Sequence, residues 1–160
     1  MASTGNDRRA LLKAAVLAPV AALFTRSGMA RDYSSAAEVF DAIDGLEADL
    51  AARLRGFQRS VPLSRDFVAS VTADHARHRA AREVFRRRLG LARSSAPAGA
   101  APAVEPDLEG LRAAQEALVY AHAEGLPAIG DPFVVDALAH HMVDLSRHLT
   151  VTQLWIETES

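Results

Sequence analysis

The sequence contains no cysteine, a single lysine (Lys13) and few aromatic residues, which make up 6% of its 160 residues. Without cysteine the chain cannot form disulfides, thiolate metal sites, cysteine nucleophiles or a c-type haem attachment motif. We therefore expect no thiolate-ligated or c-type haem cofactor. Phosphate-binding glycine loops, nucleophile elbows and strand-like alternation are also missing. With 49% hydrophobic and 24% charged residues, the composition is that of one globular domain.

The first thirty residues have the three parts of a secretory signal. A basic start with paired Arg8 and Arg9 leads into an apolar segment at 14–24, and Ala30 ends a group of small residues. That segment is short for a membrane span, which needs about 20 apolar residues. The pattern Arg-Arg-x-Leu-Leu-Lys resembles a twin-arginine signal peptide. The resemblance implies that residues 1–30 are removed near Ala30, and that the twin-arginine export machinery carries an already folded protein. The mature protein is then expected to be periplasmic or secreted, in a bacterium.

Cleavage would make the protein more acidic. Four of the 18 basic residues and one of the 20 acidic residues lie in the first thirty, so the formal net charge changes from −2 to −5. An acidic, lysine-free chain lacks both the basic surface of a nucleic-acid binder and the lysine-rich face of an amphipathic membrane helix. We expect no nucleic acid and no stable membrane insertion after cleavage. Another protein or a second copy of the chain remains as a possible partner.

Four segments carry apolar residues at helical spacing and have capping residues at their ends. Ser35 with Glu38 fits a capping box, Asp107 and Asp131 fit helix starts, and Gly90 fits a helix stop. The predicted bundle domain is residues 31–160, with helices at about 35–60, 64–89, 107–124 and 131–157. A run of arginines on the second helix is expected to form a solvated face: Arg77, Arg79, Arg86, Arg87 and Arg88.

The last segment, 131–157, organises the predicted fold. As an uninterrupted helix it would be about 40 Å long, so one partner helix of ordinary length cannot cover its apolar stripe. The short turn at 126–130 makes the third and fourth helices antiparallel neighbours. Residues 92–106, rich in Ala, Gly, Ser and Pro, fit a flexible crossover rather than a domain boundary. We predict an all-α, up-down-up-down four-helix bundle.

In that arrangement, the rise per residue brings polar side chains from all four helices to about the same depth. These residues are Glu47, Asp74, His78, Gln115, His141 and Asp144. Facing carboxylates and imidazoles are a ligand set for iron, manganese or zinc. The predicted metal ligands are Glu47, Asp74, His78, His141 and Asp144.

Across residues 34–157 the chain resembles a ferritin-like four-helix bundle. The resemblance implies a di-iron or related carboxylate site in the bundle centre, used for oxidase, peroxidase or iron-storage chemistry. Glu47 matches the lone glutamate of the first helix. In place of Glu-x-x-His, the second helix offers either Asp74 with His78 or the pair His75-x-x-His78. The fourth helix carries its motif in inverted order, as His141-x-x-Asp144. Gln115 occupies the place of a carboxylate, which favours a mononuclear site, or none, over a dinuclear one.

The same polar residues could instead form a buried hydrogen-bond network without a metal. Glu47 would then pair with Arg82 or His78, and Asp74 with His78 or His141, while Gln115 could bridge. In this alternative the protein would be a non-catalytic accessory subunit that escorts or stabilises a periplasmic redox enzyme. An exposed apolar patch would favour that function. The candidates for such a patch are Tyr120, Val143 and Leu154.

Overall fold

The computed structural model of the protein describes residues 32–60, 65–94 and 107–159. These residues form no strand, and their helices are α1 (Ala36–Ser60), α2 (Arg65–Arg88), α3 (Leu108–Gly125), a 3-10 turn (Leu126–Ala128) and α4 (Pro132–Glu159). The predicted all-α helical bundle is confirmed, and each helix end lies within two residues of its expected position. The predicted signal peptide, residues 1–30, lies outside the described residues. No described helix combines the length and the apolar character that a bilayer crossing demands.

Local capping explains where the helices begin and end. Ser35 Oγ accepts the Glu38 N–H at 3.3 Å, which is half of the predicted capping box. Asp107 and Asp131 each accept two first-turn backbone N–H groups, at distances of 2.9–3.3 Å. Gly90 has a φ of 69° directly after α2, a left-handed conformation that glycine adopts without a Cβ penalty. The ends of the helices are therefore set by residues adjacent to them in sequence.

Each helix packs mainly against two others: α1 and α4 both lie beside α2 and α3. The helices α1 and α2 are antiparallel, because Arg86 near the end of α2 contacts Asp41 near the start of α1. The helices α2 and α4 are also antiparallel. At one end Arg88 donates to Asp131 at 2.6 Å, and at the other the Phe67 ring lies 4.6 Å from Trp155.

The direction of α3 corrects the predicted topology. Gly125 at the end of α3 lies against Val39 near the start of α1, and Gly110 near the start of α3 lies against Arg53. The order is therefore up, down, down, up, and not the predicted up-down-up-down. The physical reason is the connection at 89–107, whose 19 residues could extend about 60 Å and so reach the far end of the bundle.

The bundle core is apolar over most of its length and contains residues from all four helices. Its most deeply buried side chains include Val39, Phe40, Ile43, Leu50, Leu111, Leu118, Leu138 and Leu145. At Gly125 the two backbones come so close that an added Cβ would overlap the Val39 side chain. Gly125 is thus required by helix packing and does not close α3 through a left-handed turn, since its φ is −77°.

Candidate metal centre

Five of the six histidines lie close together in the interior of the bundle. We call His75, His78, His122, His141 and His148 the imidazole cluster; they come from α2, α3 and α4. Their ring centroids form a chain, with His148 to His75 at 5.8 Å, His75 to His78 at 5.9 Å, His78 to His141 at 3.9 Å and His141 to His122 at 6.3 Å. The sixth, His140, has a side chain that is 76% exposed.

Hydrogen bonds fix the orientation of three rings through carboxylates. Glu47 Oε1 lies 3.3 Å from His75 Nδ1, and Asp144 Oδ2 lies 3.3 Å from His78 Nε2. Asp74 Oδ2 lies 3.0 Å from His148 Nε2. An ionised carboxylate only accepts hydrogen bonds, so the ring nitrogen facing it must carry the proton. In a neutral imidazole the other nitrogen then holds a free lone pair.

A backbone carbonyl orients a fourth ring in the same way. His122 is fully buried, and its Nδ1 lies 2.8 Å from the Leu118 carbonyl oxygen one turn earlier in α3. Because a carbonyl can only accept, Nδ1 is the protonated nitrogen and Nε2 carries the lone pair.

Five other ring nitrogens of the cluster are buried and make no hydrogen bond to any described residue. They are His75 Nε2, His78 Nδ1, His122 Nε2, His141 Nδ1 and His148 Nδ1. Gln115, which is 1% exposed, has both side-chain amide atoms in the same condition, so the bridge expected of it is not made. A buried polar atom without a partner costs about 1–3 kcal/mol. So many together point to a ligand that takes up the lone pairs.

Burial favours the neutral form of four rings of the cluster: His78, His122, His141 and His148. Burial lowers the pKa of His122 to about 4. Burial, together with the neighbouring His78 and His122, lowers the pKa of His141 to about 3. The pKa values of His78 and His148 are also lowered by burial, although their carboxylate partners oppose this. Neutral imidazole is the form that binds metals, and it also permits the close stacking of His78 on His141.

A buried arginine–carboxylate network borders the cluster. We use this name for Asp44, Glu47, Arg82 and Arg86, each of which is at most 5% exposed. Arg82 donates through Nη1 to Glu47 Oε1 at 2.8 Å, through Nη2 to Glu47 Oε2, and through Nε to Asp44 at 3.0 Å. Arg86 donates to the other oxygen of Asp44 at 2.9 Å. The prediction that these arginines form a solvated face is therefore wrong for Arg86, which is buried and pairs with Asp44 of α1.

The charges of this network stabilise Glu47 as an anion. Burial alone would raise the pKa of Glu47, but hydrogen bonds from His75 and Arg82 and the Arg82 charge outweigh it and lower the pKa to about 2. Glu47 likewise raises the pKa of Arg82 against the opposing effect of burial. The network thus contains two buried acidic residues, Asp44 and Glu47, and two buried basic residues, Arg82 and Arg86, so its formal charges cancel.

Glu47, His75 and His78 form a group that could hold a metal ion. One ligand atom from each lies within 4.8 Å of the others, and Glu47 and His78 are buried. To reach metal–ligand distances of about 2.0–2.2 Å, the three ligand atoms would have to move closer together, and Arg82 would have to release one Glu47 oxygen. The donor set, two imidazoles and one carboxylate, suits a transition metal.

All five predicted ligands lie in or beside the imidazole cluster. Glu47 and His78 belong to the group above, and His141 stacks on His78. Asp144 and Asp74 contact ring nitrogens instead, as described for His78 and His148. The expected pair of Glu47 with Arg82 is confirmed, whereas Asp74 pairs with neither His78 nor His141.

Sequence reasoning omitted His75, His122 and His148 from the ligand set. A signal for each was present: His75 begins a His-x-x-His pattern, His122 interrupts the apolar stripe of α3, and His148 continues the ridge of His141. Spacing alone does not tell which rings converge, so these signals do not identify the three residues as parts of one cluster.

The surface exposes several large apolar side chains. Phe133 is 58%, Leu154 54%, Val84 48% and Val143 39% exposed, while Tyr120 is only partly exposed.

No protein-family model, curated protein or solved structure matches the chain.

Proposed function

We propose that this protein is an exported, ferritin-like helical-bundle protein that binds a transition metal ion in the imidazole cluster. The observation that carries the proposal is the set of five imidazoles, each with one buried ring nitrogen that has no hydrogen-bond partner among the described residues. A metal ion bound to His75 and His78, which belong to one group of candidate ligands, would accept a lone pair from each ring and remove that part of the burial penalty. Iron, manganese and zinc are the candidate metals.

The ferritin-like part of the proposal has support from connectivity. Ferritin-like bundles have one long crossover connection, and bundles of this kind place metal ligands on facing helices. Here the long connection joins α2 to α3, while the links α1–α2 and α3–α4 are short. The departure from the family pattern at Gln115 and the imidazole-rich core favour a mononuclear site over a di-iron centre.

Elemental analysis of the purified mature protein tests the proposal. We expect near-stoichiometric iron, manganese or zinc, and loss of that metal in His78→Ala. The matched control is His140→Ala, which removes an exposed imidazole outside the cluster and should leave the metal content unchanged. Absence of metal after export or reconstitution would refute the proposed function. Unchanged metal content in His78→Ala would remove His78 as a ligand.

Phe133 and Leu154 are both more than half exposed, but they lie toward opposite ends of α4 and form no single apolar patch. The alternative function is an accessory subunit for a periplasmic redox enzyme. It predicts a mature protein without bound metal and a stable complex with a larger enzyme. Purification of the exported protein under mild conditions, followed by mass spectrometry and metal analysis of the same sample, separates the two functions.

Export by the twin-arginine route has its own test. Replacing Arg8 and Arg9 together by Lys keeps the positive charge of the leader but removes the arginine pair. We expect the full-length protein to stay unprocessed inside the cell, whereas the wild type is recovered in the periplasm or medium after cleavage near Ala30. Normal export of the double variant would exclude this route.

A further inference from the structure

Two carboxylates act on the His78 ring from different helices. His78 lies on α2, Glu47 on α1 and Asp144 on α4. Asp144 Oδ2 is the hydrogen-bond partner of His78 Nε2, at 3.3 Å. Glu47 makes no hydrogen bond to this ring, but it shares with His78 and His75 the set of ligand atoms that lie within 4.8 Å of one another. The two carboxylates therefore have different relations to the same imidazole.

The two nitrogens of the His78 ring have different surroundings. Nε2 faces a carboxylate oxygen, which can only accept, so Nε2 carries the proton. Nδ1 is buried and has no hydrogen-bond partner among the described residues, so its lone pair is free. The two nitrogens point to different sides of the five-membered ring, so an ion held by Nδ1 would lie away from Asp144. Nδ1 is thus the atom of His78 that can bind an ion without breaking a hydrogen bond.

Neighbouring side chains hold the His78 ring in this orientation. His141 stacks on its face, with centroids 3.9 Å apart and planes 19° apart, so a half-turn of the ring would have to pass the stacked neighbour. Asp144 is oriented in turn, because its Oδ1 lies 3.7 Å from Arg147 Nη1 while Oδ2 faces the ring. Metal-binding histidines commonly donate their second ring N–H to a carboxylate, which fixes the tautomer and makes the binding nitrogen more basic. His78 and Asp144 have this arrangement.

We propose that Asp144 is a positioning residue of the metal site and not one of its ligands: it holds His78 in the Nε2-protonated form, so that Nδ1 binds the ion together with Glu47 and His75. This inference rests on the proposed function and deepens it. It also changes the role of a predicted ligand, since Asp144 acts on the ion only through His78. Zn²⁺ is a suitable probe, because it accepts both imidazole nitrogen and carboxylate oxygen.

The first experiment measures Zn²⁺ binding to the metal-stripped protein by titration calorimetry. Asp144→Asn keeps the size of the side chain but removes its charge, so a proton on Nε2 is no longer required. We expect Zn²⁺ affinity to fall by about 10–100-fold, as for other carboxylates that orient a metal-binding histidine. His78→Ala, which removes a ligand, should lose more. Asp136→Asn, at a 78% exposed side chain of the same helix, is the matched control and should bind Zn²⁺ like the wild type.

The second experiment uses nitrogen-15 NMR of the histidine rings, with the His78 signals assigned by their loss in His78→Ala. In the metal-stripped wild type we expect the proton on Nε2, and in the Zn²⁺-loaded protein we expect coordination by Nδ1. In Asp144→Asn the metal-stripped protein should contain both tautomers of His78. A carboxylate with a merely structural role would leave the tautomer unchanged, so this signature separates positioning from packing.

The outcomes separate the two proposals. Two imidazoles and a carboxylate bind Zn²⁺ more tightly than manganese or iron, so a wild type that does not bind Zn²⁺ refutes the proposed function and the inference with it. If Zn²⁺ binds through Nε2 of His78, or if Asp144→Asn loses as much affinity as His78→Ala, Asp144 is a ligand and only the inference is refuted. Unchanged affinity in Asp144→Asn refutes it as well. Coordination by Nδ1 together with the intermediate loss supports it.

Discussion

Mild acid should destabilise the metal-free protein, and His122 allows the size of the effect to be worked out. Burial lowers the pKa of His122 from 6.5 to about 4 in the folded protein, whereas the unfolded chain has the ordinary value. The unfolded state therefore binds more protons between these values, and the free energy of unfolding falls as the pH decreases below about 6.5. Between pH 7 and pH 5, His122 alone accounts for about 2 kcal/mol.

The other buried histidines act in the same direction. Burial also lowers the pKa of His78, His141 and His148, so the total loss between pH 7 and pH 5 should exceed that of His122. Glu47 contributes little in this window, because its pKa is lowered from 4.5 to about 2 and its stabilisation is lost only below about pH 4.5. Against a total stability of about 5–15 kcal/mol, the effect is readily measured.

The assay is urea unfolding followed by circular dichroism at pH 7, 6 and 5, with a chelator present so that metal binding does not contribute. His122→Leu removes the titrating group, and the loss between pH 7 and pH 5 should shrink by about 2 kcal/mol. His140→Leu, the exposed control, should keep the full wild-type loss. Equal pH dependence in the wild type and His122→Leu would refute the assigned burial and charge state of this residue.

Three further substitutions test the packing at pH 7. Arg82→Met should lower the free energy of unfolding by about 3–5 kcal/mol, because it leaves buried carboxylates unpaired. Arg87→Met, the control at an exposed position, should change it by at most about 0.5 kcal/mol. If chemical denaturation gives similar values for the two variants, the arginine–carboxylate network is not buried. Gly125→Ala should destabilise the protein by about 1–3 kcal/mol, because the added methyl group overlaps Val39 of α1. Gly45→Ala, where the added methyl group meets open space, should stabilise it by about 0.5–1 kcal/mol. A stabilising effect of Gly125→Ala would contradict the close approach of α1 and α3. Asp107→Ala should lower stability by about 1 kcal/mol through loss of the α3 cap, and an unchanged melting temperature would argue against that cap.

The sequence determined the helices and their ends. Capping chemistry is local, so the roles of Ser35, Glu38 and Asp107 followed from residues a few positions apart. The sequence also predicted that Glu47, His78 and His141 would lie at about one depth, although the predicted directions of α3 and α4 relative to α1 were wrong. The reversal of α4 changes the height of His141 only moderately, because this residue is not at either end of the helix.

Only the tertiary structure decided which side chains meet. Helical periodicity places a residue on a face, but it does not fix how far each helix is rotated toward each neighbour. That rotation buried Arg82 against Glu47 and paired Asp74 with His148. The direction of α3 was equally undetermined, because a 19-residue connection can reach either end of the bundle. The helices were thus encoded locally, while the convergence of five imidazoles depended on packing between distant parts of the chain.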